Sequence, residues 1–303
     1  MNEPQETERE LYTAVVEALG KSDYHKALEH CQELLRVVAD PNIDMLRKNL
    51  MNKIKDENIN TSIRRFVAEC RKPLPPREAV LRPEILIPCF NQGRYLADTL
   101  SSLPAGVPVT IINDASTDDT AEHLYVLKET YDFKLLTNRA NLNQSGSINR
   151  AVSLSGNNLF IVLNADDALV GYTISTVVAV MEEYGDVRMV GGDCIVFDDS
   201  SVLAQNRVLP TSLPYLPEPR IYLPLDALGF RQPNDINMTM SSCSFLRSAW
   251  EAVGGLWEFD RRVCSFDDRD FQMRVCALFP VAVLKEPLAF YRVNSSVGRG
   301  RCI

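Results

Sequence analysis

The chain has 303 residues, of which 46% are hydrophobic and 24% are charged, and its formal net charge is −8. This balance is ordinary for a globular protein, and the length suggests about two domains. The acidic charge disfavours a broad basic surface for nucleic acid. No apolar run approaches the ~20 residues that a membrane helix needs. The first ten residues, MNEPQETERE, are polar and acidic, so we expect no signal peptide.

The eight cysteines are scattered and include no CxxC pair. Several lie in apolar runs, as Cys89 does in ILIPCF. This pattern favours reduced thiols, mostly in the core, and predicts a cytoplasmic protein. A peripheral position at the inner face of the membrane is also compatible with this prediction. Only three histidines are present, which leaves little material for a zinc site or a serine–histidine site.

Residues 1–71 are expected to form a helical extension. LYTAVVEALGKSDYHKALEHCQELLRVV has apolar residues three to four apart on both sides of GKSDY, and helical spacing resumes after Asp40-Pro41. The pattern predicts a helical hairpin and a third helix, similar to a tetratricopeptide unit. Such a region suits docking to a protein partner or self-association, and a simple packed extension is the alternative.

Residues 72–83 are expected to form a linker, and residues 84–303 a second domain. The prolines of RKPLPPREAVLRP are incompatible with a helix. After them, short apolar strands alternate with helical patterns over roughly a hundred residues. This alternation predicts an α/β fold with a mostly parallel sheet flanked by helices. One helix is expected to begin at STDDTAEHL, with Ser116 as its cap and Asp119 completing a capping box.

Polar side chains follow three of the predicted strands. The first strand ends at Pro88-Cys89-Phe90-Asn91, the second at Asn113-Asp114, and the fourth at Asn164-Ala165-Asp166-Asp167. Right-handed crossovers bring such ends to one edge of a sheet, where ligands bind. The adjacent aspartates offer the oxygen ligands that hard divalent ions prefer, and such ions bridge phosphates. The sequence therefore predicts a nucleotide diphosphate held through Mn²⁺ or Mg²⁺. It contains neither a GxGxxG after the first strand nor a GxxxxGK[ST] motif, which disfavours dinucleotide-binding and P-loop folds.

A series of motifs in one order resembles the inverting family-2 glycosyltransferases with the GT-A fold. The resemblance covers about residues 83–296 and rests on EILIPCFNQGRYLADTLSSL, TIINDASTDDTAEHL, NLNQSGSINRAV, FIVLNADDAL, SCSFLRSAWEAVGGLWEFD, SFDDRDFQMRVC and LAFYRVN. It implies transfer of a sugar from a nucleotide-diphosphate donor, expected to be a UDP-sugar. The implied acceptor is a hydroxyl group on a glycan, a lipid or a protein.

The resemblance also implies roles for individual residues. Donor-nucleotide contacts are implied for Pro88, Phe90, Asn91, Asp114, Asn149, Asn164 and Asp166. Among these, Asp114 would bind the nucleobase and Asn164 the ribose side of the donor. The metal would be held by Asp166 with Asp167 beside it, and the catalytic base would be Asp268, with Asp267 as the alternative. Acceptor contacts are expected from Trp250, Trp257 and Arg274, although Arg274 is also placed to pair with Asp270 one helical turn away.

The chain departs from the family pattern at several of these motifs. Asn164 begins the DxD motif, Asn113 stands where an aspartate is common, and Asp267 replaces the usual glutamate. Ile148 stands where the family often has an arginine, and Asn294 where some members have a histidine. Asparagine keeps a hydrogen-bonding carbonyl but carries no charge, so Asn164 contributes less to a cation than an aspartate would.

Two other functions remain open from the sequence. A nucleotidyltransferase would need a glycine-rich loop with a basic residue after the first strand, and CFNQGRY has only one glycine. A helical-repeat adaptor with a non-catalytic sugar-nucleotide-binding domain is the second alternative, and the neutral Asn113 and Asn164 leave it open.

Overall fold

The structure is a computed structural model that describes residues 3–21, 23–38, 41–54, 75–197, 212–224, 236, 238–258 and 267–293. The chain divides into two compact units, Met1–Arg65 and Phe66–Ile303. This division falls close to the predicted end of the helical extension. The finer limits of 1–71, 72–83 and 84–303 stay a prediction.

Helices form the described part of the first unit. These are α1 (Glu3–Gly20), α2 (Tyr24–Val37) and α3 (41–54). Asp23 caps α2, since its side chain accepts a hydrogen bond from the Lys26 backbone N at 3.1 Å. One apolar cluster joins the three helices, with the buried residues Val15, Ala18, Ala27, Cys31, Leu34, Ile43 and Leu50. The expected hairpin and third helix are therefore present. In neither unit is a helix within the described ranges long and apolar enough to span a bilayer.

The second unit contains one sheet of nine strands within the described residues. The strands are β1 (Pro83–Cys89), β2 (Val109–Asn113), β3 (Lys134–Thr137), β4 (Leu159–Val162), β5 (Ala168–Leu169), β6 (Met189–Phe197), β7 (Arg220–Tyr222), β8 (Cys243–Leu246) and β9 (Val281–Arg292). Their order is β3-β2-β1-β4-β8-β6-β9-β5, and β7 also pairs with β9.

The pairings give most of the strands one direction. The first four strands are parallel to one another. β8 runs antiparallel to both β4 and β6, so β6 has the direction of β4, and β9 is parallel to β6. β5, β7 and β8 run the other way. The mostly parallel sheet that the sequence predicts is confirmed, with an antiparallel strand inserted at its centre.

Helices cover both faces of the sheet. They are α4 (Leu96–Ser101), α5 (Thr120–Leu127), α6 (Asn143–Leu154), α7 (Thr173–Glu183), α8 (Arg247–Val253) and α9 (Asp267–Leu278). Alternate side chains of β1 enter different cores, since Ile85 and Ile87 pack on the side of α4 and α7, whereas Leu86 packs on the side of α6 and α9. Both faces of the strand are thus buried, as in an α/β layer fold.

One predicted helix begins later than expected. α5 starts at Thr120 after Asp119, which makes no side-chain capping bond. Ser116 Oγ instead accepts a hydrogen bond from the Asn91 backbone N at 3.0 Å, and Asn113 Oδ1 accepts one from the Ser116 backbone N at 3.0 Å. The predicted capping role of Ser116 is therefore wrong, because its hydroxyl ties the segment after β2 to the end of β1.

A bulge in β6 generates a stability prediction. The β6–β9 register shifts on both sides of Asp193, and a Cβ added at Gly192 would lie 2.6 Å from Leu288 Cγ and 2.7 Å from the Glu286 carbonyl oxygen. We expect Gly192→Ala to lower the free energy of unfolding by about 1–3 kcal/mol, as overpacking does. Chemical denaturation measures this. Gly156→Ala is the control, because nothing lies within 4 Å of its added Cβ. Equal stability of the two variants would contradict the prediction.

Candidate functional site

The carboxyl ends of the six strands that share a direction lie at one edge of the sheet, which we call the carboxyl edge. Asp114, directly after β2, is 3% exposed there. Its Oδ1 accepts hydrogen bonds from Asn138 Nδ2 and from the Leu142 backbone N, both at 2.7 Å. Asp114 Oδ2 accepts none from the residues that the structure describes. One oxygen therefore fixes the carboxylate, and the other can accept from an N–H group of a ligand.

Asn138 orients Asp114, and sequence reasoning missed it. Besides its bond to Asp114, Asn138 Nδ2 donates to Ser147 Oγ at 2.9 Å. Arg150 Nη1 donates to Asn138 Oδ1 and to the Thr137 carbonyl, the latter at 2.8 Å. The only signal in the sequence is that Asn138 immediately follows β3, so it lies at the same edge as Asp114.

Asn91 braces the loop after β1. It has a φ of 55°, in the left-handed region that asparagine tolerates better than most residues. Its Oδ1 accepts from the Thr117 backbone N at 2.8 Å, and its Nδ2 donates to Thr117 Oγ1 at 3.2 Å. Pro88 is buried in β1, and Phe90 is partly exposed just beyond the strand. All three predicted residues therefore lie at the carboxyl edge beside Asp114, and their contacts with a donor stay a prediction.

The segment Asn164–Asp167 follows β4, and we call it the acid turn. Within it, Asp167 is 1% exposed and its carboxylate is occupied by protein donors. Oδ1 accepts from the Arg292 backbone N at 2.8 Å, and Oδ2 accepts from Asn164 Nδ2 at 3.2 Å and from Ser241 Oγ. Burial, together with the neighbouring Asp166 charge, raises the pKa of Asp167 to about 6. We therefore revise the expectation that Asp167 binds a metal: its oxygens link the acid turn to two other segments.

The backbone of Asp166 is fixed by the side chain of Arg292. Its carbonyl oxygen accepts from Arg292 Nε at 2.8 Å, and Arg292 Nη2 pairs with Asp98 Oδ2 at 3.2 Å. The Arg292 guanidinium lies 4.9 Å from the centre of the Tyr95 ring and 4.5 Å from that of Phe197. Arg292 was not predicted from the sequence, yet it fixes the position from which the Asp166 carboxylate extends.

The donor set fits a divalent ion that is shared with a ligand. Among the described residues, no group of three or more His, Cys, Asp or Glu side chains is arranged to hold a metal. Because both Asp167 oxygens accept from protein donors, we take Asp166 as the candidate metal ligand of the acid turn. Mg²⁺ is commonly bound through one or two carboxylates together with substrate phosphates. The residues therefore fit an ion completed by a diphosphate better than an ion enclosed by protein ligands.

The first turn of α6 connects Asp114 with the acid turn. The Leu142 backbone N, just before the helix, bonds to Asp114, and Gln144 Nε2 donates to Asn164 Oδ1 at 2.8 Å. Asn143 between them has a φ of 60°. Gln144 was also missed by sequence reasoning, since a single glutamine in a polar helix start carries no spacing signal.

Asn149 is occupied within the protein. Its Oδ1 accepts from Trp250 Nε1 at 2.9 Å and from the Leu256 backbone N at 2.8 Å. Its Nδ2 donates to the Leu256 carbonyl at 2.7 Å and to Glu258 Oε1 at 3.2 Å. The contacts hold the segment after α8 against α6. They do not favour the predicted donor contact of Asn149 or the predicted acceptor contact of Trp250, both of which stay predictions.

The other two acceptor candidates differ in exposure. Arg274 is 5% exposed; its Nη2 pairs with Asp270 Oδ2 at 2.6 Å, and its Nη1 donates to the Val253 and Gly255 carbonyls at 2.6 and 2.9 Å. The ion pair between Asp270 and Arg274 that the sequence also predicted is therefore present. Trp257 is 39% exposed, and its ring centre lies 5.7 Å from the Arg274 guanidinium. Trp257 thus offers an open surface, whereas Arg274 supports it from inside.

The predicted catalytic pair lies at the start of α9. The helix begins at Asp267, whose side chain is outside the described residues. Asp268 is partly exposed, and its Oδ1 accepts from the Arg269 backbone N at 2.7 Å. Burial raises the pKa of the Cys243 thiol, and the Asp268 charge adds to this effect. Asp268 is therefore within electrostatic range of Cys243, the first residue of β8. Ser241, which contacts the acid turn, lies two residues before Cys243.

A cavity of ≈ 890 Å³ lies at the opposite edge of the sheet. Glu84 in its wall is 5% exposed and accepts from Thr110 Oγ1 at 2.7 Å, from Asn157 Nδ2 at 3.0 Å and from Ser155 Oγ. The carboxylate links β1 to β2 and to the loop after α6. This cavity therefore contains none of the predicted site residues, and its buried acid has a structural explanation.

Comparison with known proteins identifies the family. The profile of Glycosyl transferase family 2 matches residues 84–251, more than half of the 303-residue chain. The chain belongs to glycosyl transferase family 2. The matched range contains β1, β2, β4 and β8 with the Asp114 site and the acid turn, so the family resemblance seen in the sequence motifs is confirmed.

Curated relatives match over a shorter range. The poly-beta-1,6-N-acetyl-D-glucosamine synthase of Staphylococcus epidermidis is 33% identical over 88 residues, which is 28% of this chain and 21% of the relative. The synthase of the same name from Staphylococcus aureus (strain COL) is 32% identical over 85 residues, 27% of this chain and 21% of the relative. The chain spans about a fifth of the length of these relatives.

Solved structures share the fold at low identity. TarS 1-349 of S. aureus has a TM-score of 0.53 and 16% identity, covering 70% of this chain and 60% of that one. TarS 1-349 in complex with UDP-GlcNAc gives the same TM-score, identity and coverage of this chain, with 59% of that chain covered. The mannosyltransferase PcManGT from Pyrobaculum calidifontis, in complex with GDP-Man and Mn²⁺, has a TM-score of 0.52 and 14% identity over 82% of this chain and 68% of that one. The predicted fold class is confirmed.

The buried Asp167 generates a pH prediction. Its folded pKa, about 6, lies above the ordinary value of 3.8, so the folded state holds this proton more tightly than the unfolded state. Stability should therefore fall as pH rises from about 4 to about 6, by on the order of 2–3 kcal/mol at most. Asp167→Asn lacks this titration, so its unfolding free energy should rise relative to wild type over that range.

Urea denaturation in EDTA at several pH values tests this prediction. Asp132→Asn is the control, because Asp132 is exposed. Wild-type and Asp167→Asn stabilities that change in parallel with pH would contradict it.

Proposed function

We propose that this protein is an inverting glycosyltransferase that uses a nucleotide-diphosphate sugar, with a UDP-sugar as the expected donor and a hydroxyl group as the acceptor. The observation that carries the proposal is the joining of two polar sites by one helix start. The Leu142 backbone N bonds to Asp114, and Gln144 bonds to Asn164 of the acid turn. A nucleobase at Asp114 and a diphosphate at the acid turn would occupy the two sites together.

Two observations support uridine as the base. The free Oδ2 of the oriented Asp114 carboxylate is an acceptor, which suits the N3–H donor of uracil. The curated relatives are named as N-acetylglucosamine polymer synthases, and one fold neighbour holds UDP-GlcNAc. Guanine also presents an N–H donor, and another fold neighbour holds GDP-Man, so GDP is the informative comparison in a binding test.

The reaction needs a stabilised leaving group, an activated nucleophile and alignment of the two substrates. A divalent ion bound at Asp166 would supply positive charge to the departing diphosphate. The amide of Asn164 would form a hydrogen bond with the ribose side of the sugar nucleotide. Asp268 would take the proton of the acceptor hydroxyl as its oxygen forms the new bond to the anomeric carbon and the bond to the diphosphate breaks. Direct displacement inverts the anomeric centre.

The acceptor and the cellular setting are further parts of the proposal. Trp257 is the aromatic surface proposed to contact the acceptor, which is a glycan, a lipid or a protein. The N-terminal helices are proposed to dock to a partner or to a second copy. The protein is proposed to act in the cytoplasm, with peripheral contact at the inner face of the membrane. In the acceptor region, Trp250 and Arg274 are proposed to support the segment that carries Trp257.

The nucleotide site predicts selective, metal-assisted binding. In calorimetric titrations, UDP should bind more tightly than GDP, and Mn²⁺ should strengthen UDP binding by about tenfold over EDTA, equivalent to one well-placed interaction of ~1.4 kcal/mol. Asp114→Asn should weaken UDP binding by about 10–100-fold, since a hydrogen bond to a charged group contributes about 1.5–3 kcal/mol. The exposed Asp132→Asn is the control. Equal affinity in Mn²⁺ and EDTA would remove the metal from the proposal.

The proposed base predicts a separation of binding from turnover. Asp268→Asn should bind UDP as wild type does but release UDP from UDP-GlcNAc, with acceptor present, at least about a hundredfold more slowly, the scale of a lost general base. Asp267→Asn is the comparison, because it changes the adjacent acid at the same helix start. Loss of turnover in Asp267→Asn alone would transfer the role to that residue. Full turnover in both variants would reject a base at this position.

A further inference from the structure

Asn164 has a protein partner at each end of its amide. Its Oδ1 accepts from Gln144 Nε2 at 2.8 Å, and its Nδ2 donates to Asp167 Oδ2 at 3.2 Å. Gln144 and Asn164 are both partly exposed, whereas Asp167 is buried. The three side chains form a chain of hydrogen bonds from α6 to the interior of the acid turn.

The donors and acceptors in this series of hydrogen bonds have a fixed order. The Asp167 carboxylate accepts from the Arg292 backbone N and from Ser241 Oγ, so it acts as an acceptor toward Asn164 as well. Asn164 must then present its NH₂ group to Asp167 and its carbonyl to Gln144. An aspartate at position 164 would instead place a carboxylate oxygen against Asp167 Oδ2, where two like charges repel.

Gln144 therefore lies where two parts of the site meet. It is two residues from Leu142, whose backbone N holds Asp114, and its own side chain holds Asn164. A nucleotide bound to Asp114 and to the acid turn must match the separation of those two anchors. The pairing of β2 and β4 with β1 fixes the backbones of the two anchors, and the Gln144–Asn164 hydrogen bond fixes the direction of the Asn164 amide.

We propose that Gln144 is a positioning residue for the sugar-nucleotide donor. It sets the orientation of the Asn164 amide, and with it the contact that the acid turn offers to the donor. Asn164, a departure from the family pattern, is the residue that makes this link possible, because its amide accepts from Gln144 while donating to Asp167. The inference rests on the proposed function, since it assumes that the nucleotide spans both anchors.

A double-mutant cycle on Gln144 and Asn164 tests the inference. Gln144→Met keeps the length of the side chain and removes its hydrogen bonds, and Asn164→Ala removes the partner. UDP affinity is measured by calorimetry for wild type, both single variants and the double variant. Ser153→Ala on the same helix is the control, because its Oγ bonds only within the helix, to the Arg150 carbonyl at 2.8 Å.

We expect Gln144→Met to weaken UDP binding by about two- to tenfold, the scale of one neutral hydrogen bond. In the Asn164→Ala background the same change should have little further effect. The binding of free uracil, which lacks the ribose and reaches only the Asp114 side, should change less than that of UDP. A structural role alone would lower the melting temperature and weaken both ligands equally, so unfolding midpoints are recorded for every variant.

The outcomes separate this inference from the proposed function. Wild-type protein that binds neither UDP nor GDP would overturn the proposed function and the inference with it. Wild-type binding of UDP, combined with single-variant effects that multiply in the double variant, would overturn the inference alone. Equal losses for UDP and free uracil would also overturn it. If Asn164→Ala does not fold, Asp167→Asn replaces it. An amide at position 167 can donate as well as accept, so it no longer fixes the orientation of the Asn164 amide.

Discussion

The buried carboxylate of Asp167 is the constraint on which the site depends. A buried carboxylate is costly unless donors surround it, and here the donors come from three separate segments. They are the Arg292 backbone N at the end of β9, Ser241 just before β8, and Asn164 in the acid turn itself. Satisfying one acid therefore fixes the turn after β4 against two later parts of the chain. The turn that carries Asp166 is therefore positioned by the neighbouring acid, Asp167.

The central antiparallel strand explains how distant segments reach one edge. β8 lies between β4 and β6 and runs opposite to both, so its start, rather than its end, lies beside the end of β4. Ser241 precedes that start and Asp268 lies near it. Because β6 and β9 resume the direction of β4, Arg292 also arrives at the carboxyl edge. The proposed nucleotide anchors thus follow the parallel strands, and the proposed catalytic base lies in a segment that follows the antiparallel strand.

The sequence predicts what local patterns specify. Apolar runs that end in polar residues located β1, β2 and β4 and placed Asp114 and Asp166 at one edge. The individual roles of adjacent residues were not predictable, because Asp166 and Asp167 look equivalent in the sequence, and only the fold brings Arg292, Ser241 and Asn164 to the Asp167 carboxylate. Arg292, Asn138 and Gln144 were missed for a related reason: each acts through a partner far along the chain, and no spacing within its own element indicates it.

The neutral residues at the edge form a consistent pattern. Asn113 Oδ1 accepts from the Ser116 backbone N, and Asn164 bonds to Gln144 and Asp167, so both amides are used as internal connectors. The carboxylates that remain beside them are Asp114, the proposed site of the nucleobase, and Asp166, the proposed site of the diphosphate and its metal. Fewer carboxylates beside a diphosphate mean less repulsion for a cation to offset. The amide of Asn164 therefore has two effects. It completes the hydrogen bonding of the buried Asp167 carboxylate, and it leaves less negative charge beside the proposed metal site.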